Sequence, residues 1–146
     1  MLNAQDILTQ IEMPGLKLFK KGKVRNVYDF GEQLLIVASD RISAFDYILP
    51  SGIPNKGKVL TKISEYWFEI LEDISENHLI SMDVSEFPEE TKPYHHLLAE
   101  RTMFVKKTEL IEIECVVRGY LAGSGWKEYQ KDGTVCGIPL PKGLRR

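Results

Sequence analysis

A run of five apolar residues, LLIVA at positions 34–38, constrains the fold of this chain more than any other feature. The run is short and follows turn residues at 31–33, so it predicts a buried strand. The preceding segment, 17–30, alternates apolar and polar residues around Gly22 and predicts two further strands, which together give an antiparallel meander. A chain of 146 residues that is 43% hydrophobic is long enough to bury a substantial core without disulfides or metals.

Helical periodicity begins at Lys56 and predicts a helix of about five turns that packs its apolar face on the sheet. Its apolar positions, three and four residues apart, are Val59, Leu60, Ile63, Trp67, Ile70, Leu71 and Ile74. The sequence also predicts a short amphipathic helix at 3–11, one or two helical turns at 94–100, and strands at 101–107 and 111–121 that are separated by a polar hinge.

The charge balance argues against nucleic-acid binding. Nineteen basic and 21 acidic residues are intermixed and give a net charge of -2, which cannot create the large cationic field that such binding needs. The two cysteines lack paired-motif spacing and are expected to be reduced thiols. With no signal peptide expected and no apolar run near the ~20 residues that span a bilayer, we expect a cytoplasmic protein without a membrane segment.

Two clusters suggest anion binding. Gly22 lies among Lys20, Lys21, Lys23 and Arg25 on the predicted hairpin, where backbone amides and cationic side chains could cradle phosphates. A solvated basic hairpin, protected by its lysines against edge pairing, is an equal alternative.

In the second cluster, Arg118 ends a predicted strand and Ser124 follows in a Gly-flanked turn, so both could converge on one phosphate or carboxylate. A strand-ending arginine that reaches solvent, followed by an ordinary turn, is the alternative. His95 and His96 are adjacent, share no helix face and have no ligand-spaced partner, so no metal ligand is assigned.

Four segments carry a family resemblance: GKVRNVYDF, SDRISAFDYILPSGIPNKGKVL, MFVKK and IECVVRGYLAGSGWKEY. In order and spacing they resemble the amino-terminal half of phosphoribosylaminoimidazole-succinocarboxamide synthase (SAICAR synthetase), over about residues 16–140. The resemblance implies an ATP- and Mg²⁺-dependent ligase of purine biosynthesis. Such a ligase joins the carboxylate of 5-amino-1-(5-phosphoribosyl)imidazole-4-carboxylate to the amine of L-aspartate, and it forms SAICAR, ADP and phosphate. The polar segment after the buried strand is then expected to line the active-site cleft.

The resemblance also implies roles for individual residues. It places Lys23 and Arg25 on the ATP phosphates, and it makes the segment from Lys106 to Leu110 the hinge whose backbone meets adenine. The residues expected to bind or order the ribonucleotide and aspartate are Ser43, Asp46, Arg118 and Ser124, of which Asp46 and Arg118 are the catalytic candidates.

The implied fold is α+β, with an antiparallel kinase-like amino-terminal lobe at 1–108 and the start of an ATP-grasp-like second lobe at 109–146. A later family signature of Asp-x-Lys-x-Glu type, which supplies acidic residues on the metal side, does not occur in the 146 residues. We therefore expect an amino-terminal fragment that is inactive alone and either pairs with a second copy or is poorly soluble. A non-catalytic nucleotide-binding module is the alternative function, and an RNA-binding domain that uses the basic hairpin is a further rival.

Overall fold

The computed structural model describes residues 7–113, 117 and 119–145. They fall into two compact units, Met1–Glu109 and Leu110–Arg146. The strands are β1 (Leu18–Lys21), β2 (Arg25–Asp29), β3 (Gln33–Ala38), β4 (Arg41–Ala44), β5 (Tyr47–Gly52), β6 (Leu79–Ser81), β7 (Thr102–Lys106), β8 (Thr134–Val135) and β9 (Ile138–Pro139). The α-helices are α1 (Lys56–Ile70), α2 (His95–Leu98) and α3 (Gly123–Asp132), and two 3₁₀ helices span Val84–Glu86 and Glu89–Tyr94.

The first unit is built on a five-stranded antiparallel sheet in the order β1-β2-β3-β7-β6. Pairing places Tyr28, Leu35 and Phe104 in one row across β2, β3 and β7, and all three are buried. Because side chains in a strand alternate between faces, this row and Val37 share one face, where they pack with Leu98 and other residues of the core. The predicted meander and the strand at 101–107 are confirmed, and so is the α+β fold class.

The predicted helix at 3–11 is wrong for the residues that the structure describes, 7–11, which form no helix. Their backbone instead bonds to side chains from the sheet region. The Leu8 amide donates to Asp40 Oδ2 at 2.8 Å, and the Ile11 carbonyl accepts from Asn26 Nδ2 at 3.1 Å. These bonds hold the segment against the core in an irregular conformation, and positions 3–6 lie outside the described residues.

Helix α1 begins where predicted, at Lys56, but its packing differs from the prediction. The helix approaches the sheet through Gly57 and Thr61, which are buried. A Cβ at Gly57 would lie 2.5 Å from the Ala38 carbonyl oxygen, so only glycine allows this approach. The side chains of the predicted apolar face are between 41% and 78% exposed, with Trp67 at 52% and Ile74 at 78%. That face therefore does not pack on this chain's own sheet.

The second unit consists of α3 and the hairpin β8-β9. Gly133, at φ 69°, ends α3 in the left-handed conformation that favours glycine. The Tyr129 hydroxyl donates to the Pro141 carbonyl at 2.7 Å and ties the helix to the segment after β9. The strand predicted at 111–121 is not found at 111–113, 117 or 119–121, and positions 114–116 and 118 lie outside the described residues. None of the helices that the structure describes has the length and apolar character to cross a membrane.

Candidate functional site

The turn between β1 and β2 carries the predicted phosphate-binding residues. The Gly22 amide donates to the Arg25 carbonyl at 2.7 Å and closes a two-residue turn at Lys23 and Val24. A Cβ at Gly22 would lie 3.0 Å from that carbonyl oxygen, so glycine keeps the turn tight. The side chains of Lys23 and Arg25 are exposed, which leaves both cations accessible to a ligand.

The turn of a second hairpin, β4-β5, lies beside the β1-β2 turn. Its turn residues, Phe45 and Asp46, both have positive φ (48° and 68°), as in the type I′ turns that match the twist of a hairpin. Asp46 Oδ1 accepts a hydrogen bond from Lys23 Nζ, and this contact lowers the pKa of the Asp46 carboxyl. The structure thus brings together Lys23 and Asp46, two candidates from different sequence segments. Phe45 is 95% exposed at the tip, and Ser43 pairs with Ile48 further down the hairpin.

The first residue of β4 is a buried arginine, Arg41, that the sequence pattern does not single out. Arg41 is only 7% exposed. Its guanidinium donates to the carbonyls of Lys23 at 2.8 Å, Gly22 at 3.1 Å and Thr9 at 3.1 Å, and to Asn26 Oδ1 at 3.0 Å. Burial lowers the pKa of this guanidinium. Among the residues that the structure describes, no carboxylate lies within ion-pair distance of it.

Asp40, the neighbour of Arg41, is fully buried and accepts hydrogen bonds from a different set of groups. It accepts from the amides of Gly57 and Leu8, both at 2.8 Å, and from Arg101 Nη1 at 3.0 Å. Burial opposes ionisation of Asp40, but these three hydrogen bonds together hold its pKa below the ordinary value. Asp40 belongs to the polar segment that the family resemblance predicts to line the active-site cleft. The structure corrects this, because protein donors occupy the carboxylate.

The other candidates belong to other segments of the chain. Lys106 ends β7 with its side chain exposed, and its amide donates to the His78 carbonyl at 2.8 Å. Leu110 belongs to the second unit and is 77% exposed. Arg118 lies outside the described residues, so its predicted convergence with Ser124 stays a prediction.

Ser124 lies in the first turn of α3 rather than in a free turn, which corrects the sequence expectation. It lines a cavity of about 460 Å³ within the second unit, together with Tyr120, Glu128 and Cys136. A hydroxyl at the start of a helix beside a cavity is available to bind a polar ligand group.

Comparison with known proteins assigns the family. A family model described as SAICAR synthetase matches residues 18–146. This chain belongs to the SAICAR synthetase family. The predicted family resemblance is therefore confirmed.

Relatives and solved structures of the SAICAR synthetase family agree with this assignment. The phosphoribosylaminoimidazole-succinocarboxamide synthase of Syntrophobacter fumaroxidans is 56% identical over 99% of this chain and 48% of its own length. That of Desulfosudis oleivorans is 61% identical over 95% of this chain and 47% of its own length. The chain thus spans about half the length of the curated relatives it matches.

Two solved structures support the fold. A structure titled SAICAR synthase matches with a TM-score of 0.85 and 42% identity, over 94% of this chain and 49% of that one. The structure titled SAICAR-synthase from Saccharomyces cerevisiae complexed SAICAR matches with a TM-score of 0.82 and 42% identity, over the same shares of both chains. The predicted SAICAR synthase-like fold is confirmed by both.

Proposed function

We propose that this chain supplies the ATP-phosphate hairpin and part of the substrate site of a SAICAR-forming ligase of purine biosynthesis. The proposed reaction joins the carboxylate of the aminoimidazole ribonucleotide to the amine of L-aspartate and converts ATP to ADP and phosphate. The observation that carries the proposal is the family match over residues 18–146. The meeting of Lys23 and Asp46, which lie on two family-like segments, supports the location of the site.

The chemistry requires activation, because a carboxylate is a poor electrophile. In the proposed first step, a carboxylate oxygen attacks the γ-phosphorus of ATP, the bond to ADP breaks, and an acyl phosphate forms. The aspartate amine then attacks the acyl carbon, inorganic phosphate leaves, and the amine loses a proton. Charge on the transferring phosphoryl group must be offset by fixed cations, and Lys23 and Arg25 are exposed where they can do this.

Further roles follow from the family assignment. The backbone from Lys106 to Leu110 would meet adenine, and Ser43, Arg118 and Ser124 would contact the ribonucleotide. Asp46 would hold the ammonium group of aspartate, since a carboxylate that accepts a hydrogen bond from one cation can accept from another. The terminal phosphate of ATP would compete with Asp46 for Lys23.

Magnesium is part of the proposed reaction, but its ligands are not assigned to this chain. Among the residues that the structure describes, no group of three or more His, Cys, Asp or Glu side chains could hold a metal ion. Asp40 is occupied by three protein donors and Asp46 by Lys23. We also propose a cytoplasmic location, as is usual for an enzyme of nucleotide biosynthesis.

The decisive test compares ATP binding in Lys23→Ala and Lys21→Ala by isothermal titration calorimetry. Both remove one exposed cation from the same hairpin, so they change its net charge equally. We expect Lys23→Ala to weaken ATP binding by about 1–3 kcal/mol, through loss of a charge-assisted hydrogen bond. Lys21→Ala should change it by less than about 0.5 kcal/mol. Equal affinities of Lys23→Ala and the unmodified chain would contradict the assignment.

Titration with the ribonucleotide alone separates the ligase from a non-catalytic nucleotide-binding module. A ligase site should bind the ribonucleotide without ATP, whereas the module should bind ATP only. An RNA-binding domain should instead bind polynucleotides, with an affinity that falls steeply as salt is raised.

A further inference from the structure

We infer that Arg41 is a positioning residue for the anion site at the β1-β2 turn. It fixes the direction of the turn's peptide groups and places beneath them a positive charge that has no carboxylate partner among the described residues. The inference rests on the proposed function, because it assumes that phosphate binds at this turn.

Arg41 fixes the direction of the peptide groups in the β1-β2 turn. Arg41 binds the carbonyl oxygens of Gly22 and Lys23 from the buried side. In a planar trans peptide the carbonyl of one residue and the amide of the next point in opposite directions, and the described residues contain no cis peptide bond. The amides of Lys23 and Val24 therefore point away from Arg41, toward the exposed side of the turn.

Those two amides are free to bind a ligand. Among the described residues, neither the Lys23 nor the Val24 amide has a hydrogen-bond acceptor. The next carbonyl, that of Val24, is also held from inside, by the Ser39 amide at 3.0 Å and the Ser39 hydroxyl at 2.8 Å. Three successive carbonyls thus face inward. Two successive amides that face outward beside a lysine side chain form a concave donor set of the kind that binds phosphate.

Arg41 also contributes its positive charge to the site. The Arg41 guanidinium is bonded to four neutral oxygens, and within the described part of the chain no carboxylate neutralises it. Arg101, the other buried arginine of this region, differs because Asp40 Oδ1 lies 3.0 Å from its Nη1. A buried charge without a counterion acts through a medium of low dielectric, so its field is screened less than that of a surface lysine. The field of Arg41 therefore favours an anion on the turn that it holds.

The test measures binding of inorganic tripolyphosphate and of adenosine to the 146-residue chain and its variants by calorimetry. Arg41→Met removes both the anchoring bonds and the charge, and Arg41→Lys keeps the charge. We expect Arg41→Met to weaken tripolyphosphate binding by about tenfold or more and to leave adenosine binding within about twofold. Arg41→Lys should restore part of the tripolyphosphate affinity. Arg101→Lys is the matched control: it also perturbs a buried arginine and should leave the ratio of the two affinities unchanged.

The outcomes separate this inference from the proposed function. If tripolyphosphate does not shift the amide NMR signals of Lys23 and Val24 in the unmodified chain, the proposed phosphate site is wrong. If it shifts them and Arg41→Met retains full tripolyphosphate affinity, the role of Arg41 is wrong.

A measurement on the unmodified chain covers the case in which the Arg41 variants do not fold. We expect the Lys23 and Val24 amides to exchange rapidly with solvent without ligand, because they have no acceptor, and to become protected when tripolyphosphate is added. Protection of both amides before any ligand is present would overturn the inference.

Discussion

Replacing Asp40 tests whether this residue stabilises the fold or serves substrate. The carboxylate accepts three hydrogen bonds, from the amides of Gly57 and Leu8 and from Arg101 Nη1, and none of its surface is exposed. Asp40→Ala would leave one buried amide, one partly buried amide and one buried guanidinium without this acceptor. An unpaired buried charge alone costs about 3–5 kcal/mol, and the unpaired buried amide of Gly57 adds about 1–3 kcal/mol. We expect a loss of at least about 4 kcal/mol, which is a large share of a typical domain's stability.

Asp40→Asn is the more informative variant, because it preserves shape. One oxygen remains an acceptor, but the new amide group directs a donor at one of the existing donors. We expect it to lower the free energy of unfolding by about 2 kcal/mol or more. The measurement is urea unfolding followed by circular dichroism, with the exposed Asp73→Asn as a control that should change stability by less than about 0.5 kcal/mol. A loss below about 1 kcal/mol in Asp40→Asn, with an unchanged denaturant slope, would refute the reasoning.

The dependence on pH gives a second check on Asp40. Its pKa is lower in the folded chain than in the unfolded chain, so the ionised form contributes stability above the unfolded pKa of about 3.9. That contribution is lost as pH falls through the folded pKa. The difference in stability between the unmodified chain and Asp40→Asn should therefore be constant near neutral pH and shrink below about pH 4.

Two more predictions concern exposed positions. Phe45→Asn should raise the free energy of unfolding by about 1 kcal/mol, because asparagine tolerates the positive φ of this turn position better and the exposed ring loses little packing. Thermal unfolding measures this gain in stability, and a lowered midpoint would contradict the prediction. Ile63→Lys and Trp67→Lys should each change the free energy of unfolding by less than about 0.5 kcal/mol and reduce the binding of a hydrophobic dye, because both side chains are half-exposed. A loss of stability above about 2 kcal/mol would mean that this face packs within the chain.

The sheet could be predicted from sequence because its signals are local. A short apolar run and the alternation before it specify β2 and β3, and the strand at 101–107 follows the same rule. The hairpin β4-β5 was not predicted. Its turn uses Phe45 and Asp46, where type I′ turns favour asparagine and glycine, so the usual hairpin signal is absent.

The packing of α1 shows a second limit of structure prediction from sequence. Periodicity predicts which helix positions are apolar, but it does not say which surface covers them. Here the sheet is contacted through Gly57 and Thr61, because small residues allow close approach, while Ile63 and Trp67 face away from that contact and are half-exposed. An apolar stripe on a helix is therefore evidence for burial in some assembly, and not for burial against the nearest sheet of the same chain.

The buried charges after β3 were the least predictable part, and they connect the fold to the proposed site. The sequence Ser39-Asp40-Arg41 suggests an exit into solvent, yet all three residues are buried. Asp40 binds the start of α1 at Gly57, whereas Arg41 binds the turn that carries Lys23. One dipeptide thus holds two elements at once. The β1-β2 turn is therefore anchored, through Arg41, to the chain just after the central strand β3, which gives the proposed phosphate site a fixed position before any ligand binds.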